Sequence, residues 1–425
     1  MRLFPALATD VPWGLERMTS ALAEIGDPHL TYPTLHVGGT NGKGSVAAIL
    51  AAVMSAAGRR VGLYTSPHLC SFGERIQVGG APLPEARLVA HADELRERIT
   101  RHGLTFFEAA TLLGFHAFAR EGVDVAVVEV GLGGRLDATN VVRPLVATVT
   151  NVALDHAEYL GDTLAVIAAE KASIAKPGVP LITGETDPEL LEVFAQVCAE
   201  RGSELLVLDP RRVEGVKVAR DGTSFALETR AWGRVELRVP LLGAHQASNA
   251  AIAVAVLERL PQPLRPGAEA VRRGMARVRW PGRSQLERTR DGAWLFDVAH
   301  NPAGVRSLTD LLDRLSLPRP HVGLIGVLAD KNWLQMLPPI CNRLDHVFLT
   351  QPLSAPPERR WDPAGAAAML RPVLAHRCVL DAIPDFGAAL DAARAAAGVG
   401  TVIVTGSSHT VGDALRILER CPFDA

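Results

Sequence analysis

The chain has 425 residues, of which 48% are hydrophobic and 21% charged, values that are ordinary for globular proteins and sufficient for two or three domains. Its 44 lysines and arginines against 46 aspartates and glutamates give a formal net charge of -2, which argues against bulk binding to nucleic acid or to an anionic membrane. The opening residues have too short an apolar run for a secretory signal, and the longest apolar stretch, residues 46–57, is too short for a membrane span, so the sequence predicts a cytoplasmic protein.

The first half of the chain alternates short apolar runs with helical stretches, the pattern of a parallel sheet covered by helices. Strands are predicted at residues 34–37, 61–64, 123–130 and 145–152. A helix is predicted at residues 45–57, and its alanines and valines lie on every face, which indicates that it is buried.

In the second half of the chain, the predicted type of secondary structure changes twice. Residues 213–242 predict antiparallel strands with a hairpin turn at Asp221-Gly222, residues 243–260 return to helix, and the proline, glycine and charge of residues 279–287 predict a linker. Beyond the linker the α/β alternation restarts, with strands predicted at 293–297, 321–327, 346–349, 377–380 and 401–405.

The predicted fold class is therefore α/β with two domains. Residues 1–282 predict an N-terminal parallel-sheet domain with a small antiparallel β subregion, and the glycine-rich stretch GGTNGKGS within it indicates a P-loop-type ATPase domain. Residues 283–425 predict a C-terminal Rossmann-like α/β domain.

A glycine-rich stretch, GGTNGKGS, stands between the first predicted strand and its helix. Glycines in this position let backbone N–H groups surround a phosphate, and the helix adds its positive end, so the stretch predicts ATP binding. In the usual P-loop a serine or threonine follows the lysine and holds Mg²⁺, whereas Gly44 has no side chain to offer. The alternative is a glycine-rich turn without a ligand. The predicted nucleotide-binding residues are Gly39, Thr40, Asn41, Gly42, Lys43, Gly44 and Ser45.

Polar side chains follow the other strands, and ligands of an open parallel sheet bind beyond the carboxyl ends of its strands. Ser66 follows the second strand, Glu129 emerges from the apolar run VDVAVVEVG, and His156 follows the fourth strand. Since Mg²⁺ prefers oxygen ligands, Ser66 and Glu129 are predicted to hold the ion, with His156 as a further ligand. The alternatives are a turn-forming serine, a Glu129 paired with Arg135, and a histidine without a metal.

A well-defined helix is predicted within residues 161–178, capped by Asp162 or Thr163 and stopped at Pro177. It presents Lys171 close to His156 in sequence. A bare ammonium beside a metal ion would repel it, so Lys171 would serve there as a phosphate contact or after conversion to an anionic carbamate. The alternative is a surface ion pair with Glu170 or Glu158.

These motifs together resemble the folylpolyglutamate synthase and dihydrofolate synthase family, within the Mur ligase superfamily. The matching segments run in family order over nearly the whole chain: GLERM, HVGGTNGKGSV, TSPHL, FGERI, TFFEAATLLGFHAF, VVEVGLGGRLDATN, DHAEYLGDTLAVIAAEKASIAKPG, GAHQASNAAIAVAVLE, WPGR, DVAHNPAG and GSSHTVGD. The departures from the family pattern, EKAS for EKAG and DVAHN for DGAHN, remove no functional side chain.

The resemblance implies an ATP-dependent ligase that joins L-glutamate to dihydropteroate or to the terminal glutamate of tetrahydrofolate. The acceptor carboxylate is first phosphorylated by ATP, and the amine of glutamate then attacks the acyl phosphate. The resemblance implies that Ser66 and Glu129 hold one Mg²⁺, that Glu129 and His156 hold a second, and that Lys171 is carbamylated. Lys43, Lys171 and His156 are the predicted catalytic residues.

Further site residues are also implied by the resemblance. Asn249, Arg283 and Asp297 match nucleotide-binding positions. The predicted substrate-binding residues are Phe106, Phe107, Glu108, Arg135, Leu136, Asp137, His300 and Ser407. For His300 and Ser407 the alternatives are a helix-capping histidine and a turn serine.

The expected partners are small molecules only: ATP, L-glutamate and a pteroate or folate, with Mg²⁺ as cofactor and a monovalent cation left open. We predict a monomer that binds neither nucleic acid nor a membrane. Two other functions compete, a Mur-type ligase acting on another carboxylate acceptor and a non-catalytic ATP-binding switch. A peptidoglycan ligase carries a domain before its phosphate loop, and here the loop begins at Gly38, which leaves fewer than the about 50 residues that a domain needs.

Overall fold

A computed structural model describes residues 14–289, 292–374 and 378–423. The chain divides into two compact units. The first comprises the chain up to Gly215 together with Phe225–Arg238 and Ser248–Val278; the second comprises Val216–Ser224, Val239–Ala247 and the chain from Arg279 onward. Among the helices of the described residues, none is long and apolar enough to cross a membrane. The predicted boundary between residues 282 and 283 stays a prediction.

Helices and strands alternate along most of the described chain. The α-helices are α1 Glu16–Glu24, α2 Lys43–Ala56, α3 Glu85–Arg101, α4 Phe106–Arg120, α5 Ala157–Leu160, α6 Leu164–Ala172, α7 Pro188–Arg201, α8 Ala244–Glu258, α9 Ala268–Met275, α10 Pro302–Arg314, α11 Trp333–Cys341, α12 Pro363–Leu370, α13 Phe386–Ala397 and α14 Ser408–Ile417. The β-strands are β1 Thr34–Gly38, β2 Val61–Tyr64, β3 Ile76–Val78, β4 Ala81–Pro82, β5 Val125–Glu129, β6 Val146–Val149, β7 Leu181–Thr183, β8 Leu205–Val207, β9 Val213–Ala219, β10 Gly222–Thr229, β11 Gly233–Val239, β12 Gln285–Thr289, β13 Gly292–Phe296, β14 His321–Ile325, β15 His346–Leu349, β16 Val379–Ala382 and β17 Thr401–Thr405.

The large sheet of the first unit has the strand order β4-β3-β2-β5-β1-β6-β7-β8. In this order, the neighbouring strands from β2 through β5, β1, β6 and β7 to β8 are parallel. At the other edge, β3 pairs antiparallel with both β2 and β4. The central strands are short runs rich in valine and buried along their whole length, as expected of strands covered by helices on both faces. The predicted α/β class with a large parallel sheet is confirmed.

Aromatic packing fixes α4 against this sheet. Tyr64 at the end of β2 and Phe115 and Phe118 of α4 are fully buried in one apolar cluster that also takes side chains from α1 and α3. Burying each such side chain contributes roughly 1.5–3 kcal/mol, so α4 is held firmly. The amino-terminal end of α4 is thereby fixed relative to the strands that carry the predicted site.

The second unit contains a mixed sheet of order β12-β13-β17-β14-β15-β16, in which β12 pairs antiparallel with β13 and the other pairs are parallel. The predicted second α/β sheet is confirmed. A separate sheet of order β11-β10-β9 corresponds to the predicted antiparallel subregion, since strands joined by such short connections run antiparallel.

Three local predictions need correction. The predicted linker 279–287 is wrong in its second half, because β12 begins at Gln285 and hydrogen-bonds along β13. The helix expected to run to Pro177 ends at Ala172, where the Ser173 hydroxyl bonds back to the carbonyl of Ala169 and competes with the helical pattern. The strand predicted at 377–380 is displaced to Val379–Ala382, and residue 377 lies outside the described residues.

Candidate active site

The carboxyl ends of four neighbouring strands, β2, β5, β1 and β6, meet at one edge of the first sheet. The parallel register places Val37 beside Glu129 and Gly38 beside Val149. Adjacent strands lie about 4.8 Å apart, so the residues that follow these four strands emerge within roughly 14 Å of one another. The structure thus brings the loop after β1, Ser66, Glu129 and the segment after β6 to the same edge.

The loop after β1 requires glycine at two positions. Gly39 has φ 132° and Gly42 has φ 83°, backbone conformations that side chains rarely adopt. A Cβ atom on Gly39 would collide with Thr150, and one on Gly42 would lie 2.5 Å from Asn249 Oδ1. Because α2 begins directly afterwards at Lys43, the loop presents backbone N–H groups and a positive helix end, the features that bind phosphate.

The segment after β6 holds this loop in place. The Thr150 hydroxyl donates to the Asn41 carbonyl at 2.6 Å, and the Asn41 N–H donates to Asn151 Oδ1 at 3.0 Å. The Thr40 N–H donates to the Asn151 carbonyl at 2.9 Å. Sequence reasoning missed Thr150 and Asn151, whose only signal is a pair of polar residues directly after a buried strand.

Lys43 folds back over the loop that precedes it. Its Nζ donates to the carbonyls of Gly39 at 3.1 Å and Thr40 at 3.2 Å. The ammonium is therefore held within the glycine-rich loop, where it can meet the terminal phosphates of a nucleotide.

Lys171 of α6 reaches the same loop from another element. Its side chain is buried, with 4% exposure, and its Nζ donates to the Gly39 carbonyl at 3.1 Å, the oxygen that Lys43 also uses. The pKa of Lys171 is lowered to about 7, mainly because the side chain is buried and also because of the positive charge of Lys43. The negative charge of Asp155 acts in the opposite direction. Lys171 is therefore not in a surface ion pair, and Glu170 instead bonds to Arg135 at 2.7 Å.

Glu129 and Ser66 are in direct contact at the end of β5. The Glu129 side chain is 3% exposed, and its Oε2 accepts a hydrogen bond from the Ser66 N–H at 3.1 Å. Arg135, the alternative partner for this carboxylate, pairs with Glu170. A buried carboxylate in contact with the backbone of a serine, whose side chain carries a hydroxyl, provides residues of the hard oxygen type that Mg²⁺ prefers.

His156 lies at the amino-terminal end of α5 in the left-handed conformation, with φ 53°. Its Nε2 is 3.7 Å from Asp155 Oδ1, and its side chain is 29% exposed. The negative charge of Asp155, the residue next to His156, also acts on the buried Lys171. Asp155 was missed, although it stands next to His156 in the DH pair.

An aromatic surface lies at the amino-terminal end of α4. The Arg75 guanidinium sits 5.4 Å above the centre of the Phe106 ring and donates to His68 Nδ1 at 2.8 Å. Phe72 packs edge-on against Phe106, with ring centroids 6.2 Å apart. Sequence reasoning named Phe106 and missed Arg75, Phe72 and His68, whose only signal is that the first two stand in the FGERI segment and the third in TSPHL.

Phe107 faces the loop after β5. A Cβ atom on Gly131 would collide with its ring, so the glycine is needed for this close approach. The ring also lies 6.4 Å from that of Tyr64. The packing joins α4 to the GLGGRLD segment, which carries Arg135, Leu136 and Asp137.

Two of the predicted substrate-binding carboxylates have structural partners. Glu108 closes a capping box with Thr105 at the start of α4 and pairs with Arg17 at 2.8 Å. Asp137 is buried and accepts from the Leu132 N–H and the Thr139 N–H, both at 2.9 Å. These contacts shape the loops, and substrate contact by either residue stays a prediction.

In the second unit, Asp297 organises the turn after β13. Its Oδ2 accepts from the N–H and the hydroxyl of Ser284, at 2.8 and 3.0 Å, and its Oδ1 accepts from the Ala299 N–H at 2.8 Å. His245 lies in the fields of Asp297 and Arg283, and burial lowers the pKa of its imidazole. His245 stands in the GAHQASN segment and was missed.

His300 and Ser407, the predicted substrate-binding residues of the second unit, have different local contacts. His300 Nδ1 is 2.9 Å from the Val298 carbonyl, while the neighbouring Asn301 side chain caps α10. The Ser407 hydroxyl is buried, caps α14 and donates to the Gly326 carbonyl at 3.0 Å. Ser407 therefore caps a helix, which is neither the substrate contact nor the turn serine that the sequence suggested, and its contact with substrate stays a prediction.

A glycine-rich loop at the carboxyl edge of a parallel sheet, with a second α/β unit later in the chain, is typical of nucleotide-binding enzymes. The family model for the Mur ligase middle domain matches residues 37–257, and that for the Mur ligase glutamate ligase domain matches residues 282–409.

Individual proteins narrow this class. A dihydrofolate synthase/folylpolyglutamate synthase of Mycobacterium tuberculosis is 35% identical over 97% of this chain and 92% of its own. The crystal structure of M. tuberculosis folylpolyglutamate synthase complexed with ADP has a TM-score of 0.89 and 33% identity, covering 97% of this chain and 96% of that one. A probable bifunctional folylpolyglutamate synthase/dihydropteroate synthase of Haloferax volcanii is 36% identical over 97% of this chain, which spans only 49% of that relative.

The chain belongs to the folylpolyglutamate synthase and dihydrofolate synthase family, whose members are ATP-dependent ligases that add glutamate. The predicted family, the predicted enzyme class and the predicted use of ATP are confirmed.

Proposed function

We propose that this chain phosphorylates the carboxylate of a pteroate or folate with ATP at the edge formed by β2, β5, β1 and β6, and then joins it to the amine of L-glutamate. The observation that carries the proposal is the shared Gly39 carbonyl, to which Lys43 and Lys171 both donate inside a glycine-rich loop. The Lys43 ammonium neutralises phosphate charge, the glycines allow backbone N–H groups to approach the phosphates, and Lys171 places a second functional group at the same loop.

The transfer needs little covalent work from the protein. A carboxylate is a poor acylating agent, and an acyl phosphate is a good one. The γ-phosphoryl group passes to the substrate carboxylate with release of ADP, and the glutamate amine then displaces phosphate to form the amide. Positioning and charge neutralisation are therefore the tasks of Lys43 and the loop.

The residues around Glu129 fit a bound Mg²⁺. The carboxylate is almost fully buried and touches Ser66, while the position after Lys43 is a glycine. We propose Ser66 and Glu129 as ligands of one ion, and Glu129 and His156 as ligands of a second. When bound, Mg²⁺ would neutralise the phosphate oxygens of ATP.

We expect Ser66→Ala to raise the Mg²⁺ concentration for half-maximal activity by about tenfold or more, because it removes one oxygen ligand. The measurement is a magnesium titration of turnover at saturating ATP. Ser203→Ala is a matched control, since its hydroxyl donates to the Val179 carbonyl, which precedes the amino-terminal end of β7 and so lies away from the carboxyl edge of the sheet. An unchanged titration in Ser66→Ala would contradict the assignment.

We further propose that Lys171 is carbamylated. The neutral amine attacks CO₂ to form an N–C bond, and one proton is released, which leaves an anionic carbamate in place of a buried cation. The lowered pKa supports this step, because at about 7 the neutral amine is abundant at neutral pH, unlike that of an ordinary lysine.

Reactivation by CO₂ should therefore depend on pH. The lysine is protonated below its folded pKa of about 7 and neutral above it, so at fixed dissolved CO₂ enzyme stripped of bicarbonate should regain activity about tenfold faster at pH 8 than at pH 6. The measurement is recovery of turnover after stripped enzyme is mixed with buffered CO₂. Equal rates at the two pH values, or no response to CO₂, would contradict the carbamate.

The aromatic surface of Phe106, Phe72 and Arg75 supports a flat heteroaromatic substrate. Ring faces and a guanidinium stack well on a pterin, and Phe106 lies at the start of α4, whose packing fixes this residue relative to β2. Mass spectrometry of products after incubation with ATP, Mg²⁺ and glutamate tests the function, with dihydropteroate and tetrahydrofolate as separate acceptors. A mass gain of one glutamate residue on either acceptor is expected, and ATP turnover without any such product would favour the ATP-binding switch.

The remaining predictions concern the whole protein. A monomer, a cytoplasmic location and a domain boundary between residues 282 and 283 stay predictions, as does the absence of nucleic-acid or membrane partners.

A further inference from the structure

A cluster of metal-ligating side chains lies between α3 and α4, away from the loop after β1. His91 and Glu94 on α3 and His116 on α4 each offer a nitrogen or carboxylate oxygen, and these atoms all lie within 4.8 Å of one another. His116 Nε2 is 3.0 Å from Glu94 Oε2, and the two imidazole rings are 5.4 Å apart in an edge-to-face arrangement.

The imidazole of His91 is buried, with its Nε2 3.6 Å from Glu121 Oε1. Its residue is 6% exposed, and within the described residues neither ring nitrogen has a hydrogen-bond partner. Burying unsatisfied nitrogen atoms costs free energy, and a leucine would pack between two helices without that cost. An imidazole kept there indicates a ligand for its nitrogen.

We propose that His91, Glu94 and His116 bind a zinc ion that joins α3 to α4. Residues three apart on a helix lie on the same face, so His91 and Glu94 present their ligand atoms together. Two imidazoles and a carboxylate form a ligand set that zinc accepts, with a fourth position left for water or another side chain.

Glu121 is the candidate for the fourth position. Its Oε1 lies 3.6 Å from His91 Nε2 and forms an ion pair at 2.6 Å with Arg87, whose side chain is more than half exposed and can turn into solvent, while Arg60 pairs with Oε2 at 3.0 Å. Arg120 lies 3.6 Å from Glu94, and its side chain is 60% exposed, so it can turn into solvent when a metal binds.

The proposed zinc site is separate from the ligase site. His116 lies ten residues after Phe106 on α4, a distance of about 15 Å along the helix axis. The proposal therefore does not depend on the proposed function, and it can fail while the ligase reaction stands.

Zinc binding to the full chain tests the proposal, by equilibrium dialysis with elemental analysis in saturating Mg²⁺ and a non-hydrolysable ATP analogue, which occupy the ligase site. Wild-type protein is expected to retain one zinc per chain. His116→Gln and Glu94→Gln should each weaken zinc binding by more than about 100-fold, above the 10–100-fold that loss of a supporting hydrogen bond costs.

His102→Gln is the matched control, because it removes a histidine that also contacts a glutamate, Glu24, at 2.8 Å at the end of α3. This variant should keep its zinc. Glu94 is 44% exposed, so Glu94→Gln should fold even if the variants of the histidines do not. Zinc binding that is absent in the wild type, or equal in Glu94→Gln and His102→Gln, would overturn the proposal.

Discussion

Lys171→Ala is expected to lower kcat by about 10²–10³-fold, the effect of removing one preorganised charge from a reaction site. The side chain is buried and bonds to the Gly39 carbonyl inside the phosphate-binding loop, so its charge acts directly on that loop. Steady-state turnover with saturating ATP, acceptor and glutamate measures the change.

Chemical rescue distinguishes a carbamate from a bare lysine at this position. Alanine leaves space for a small anion, so formate or acetate should restore part of the lost activity if a carbamate is the working group. Lys176→Ala is the control, since Lys176 is also partly buried and donates to a backbone carbonyl, that of Asn140, at 2.8 Å. It should retain activity within a few-fold of wild type, and wild-type activity in Lys171→Ala would show that the lysine has no catalytic role.

Glu129→Gln should reduce kcat by about 10³-fold, the upper end of what loss of one electrostatic group costs. The amide has the shape of the carboxylate and still accepts from the Ser66 N–H, so the fold is preserved while the negative charge that would hold Mg²⁺ is removed. The measurement is turnover at increasing Mg²⁺, which should not restore the wild-type rate.

Glu185→Gln provides the control for charge removal at a buried carboxylate. Glu185 lies after β7 in the same sheet and accepts from the Val152 N–H at 2.9 Å and the Thr186 N–H at 2.8 Å. Its loss should lower the free energy of unfolding and leave most of the activity. Equal activity losses in the two variants would mean that Glu129 matters for stability and not for the reaction.

The strands that could be predicted from the sequence are those whose own residues favour the β conformation. Runs such as VGLY at 61–64 and TVIVT at 401–405 are apolar, β-branched or flanked by turn residues, and the structure has strands at these residues. The two- and three-residue strands β3, β4, β7 and β8 were missed, because such short strands are defined by pairing with neighbours far along the chain.

At the candidate site, too, residues in local motifs could be predicted and residues defined by long-range contacts could not. Lys43, Ser66 and Glu129 stand in short motifs after strands, and they could be named before the sheet order was known. Thr150 and Asn151 hold a loop more than a hundred residues away in sequence, and Arg75 and His68 gain meaning only from their packing on Phe106. Contacts of this kind leave no local pattern, so a single sequence does not reveal them.

Glu108 and Ser407 show the opposite case. Each stands in a family motif, and each has a local structural use as a helix-capping residue that its spacing also satisfies. A motif position can therefore serve the backbone and the substrate at once, and only the contacts separate the two.

The central claim is that Ser66 and Glu129 hold the metal ion of ATP beside the loop that carries Lys43. Anomalous X-ray diffraction from crystals grown with Mn²⁺, which replaces Mg²⁺, and a non-hydrolysable ATP analogue locates that ion directly. The account predicts a manganese peak bonded to Ser66 Oγ and a Glu129 oxygen, with the analogue's phosphates against the loop from Gly39 to Lys43. A nucleotide-bound manganese that touches neither Ser66 nor Glu129 would contradict it.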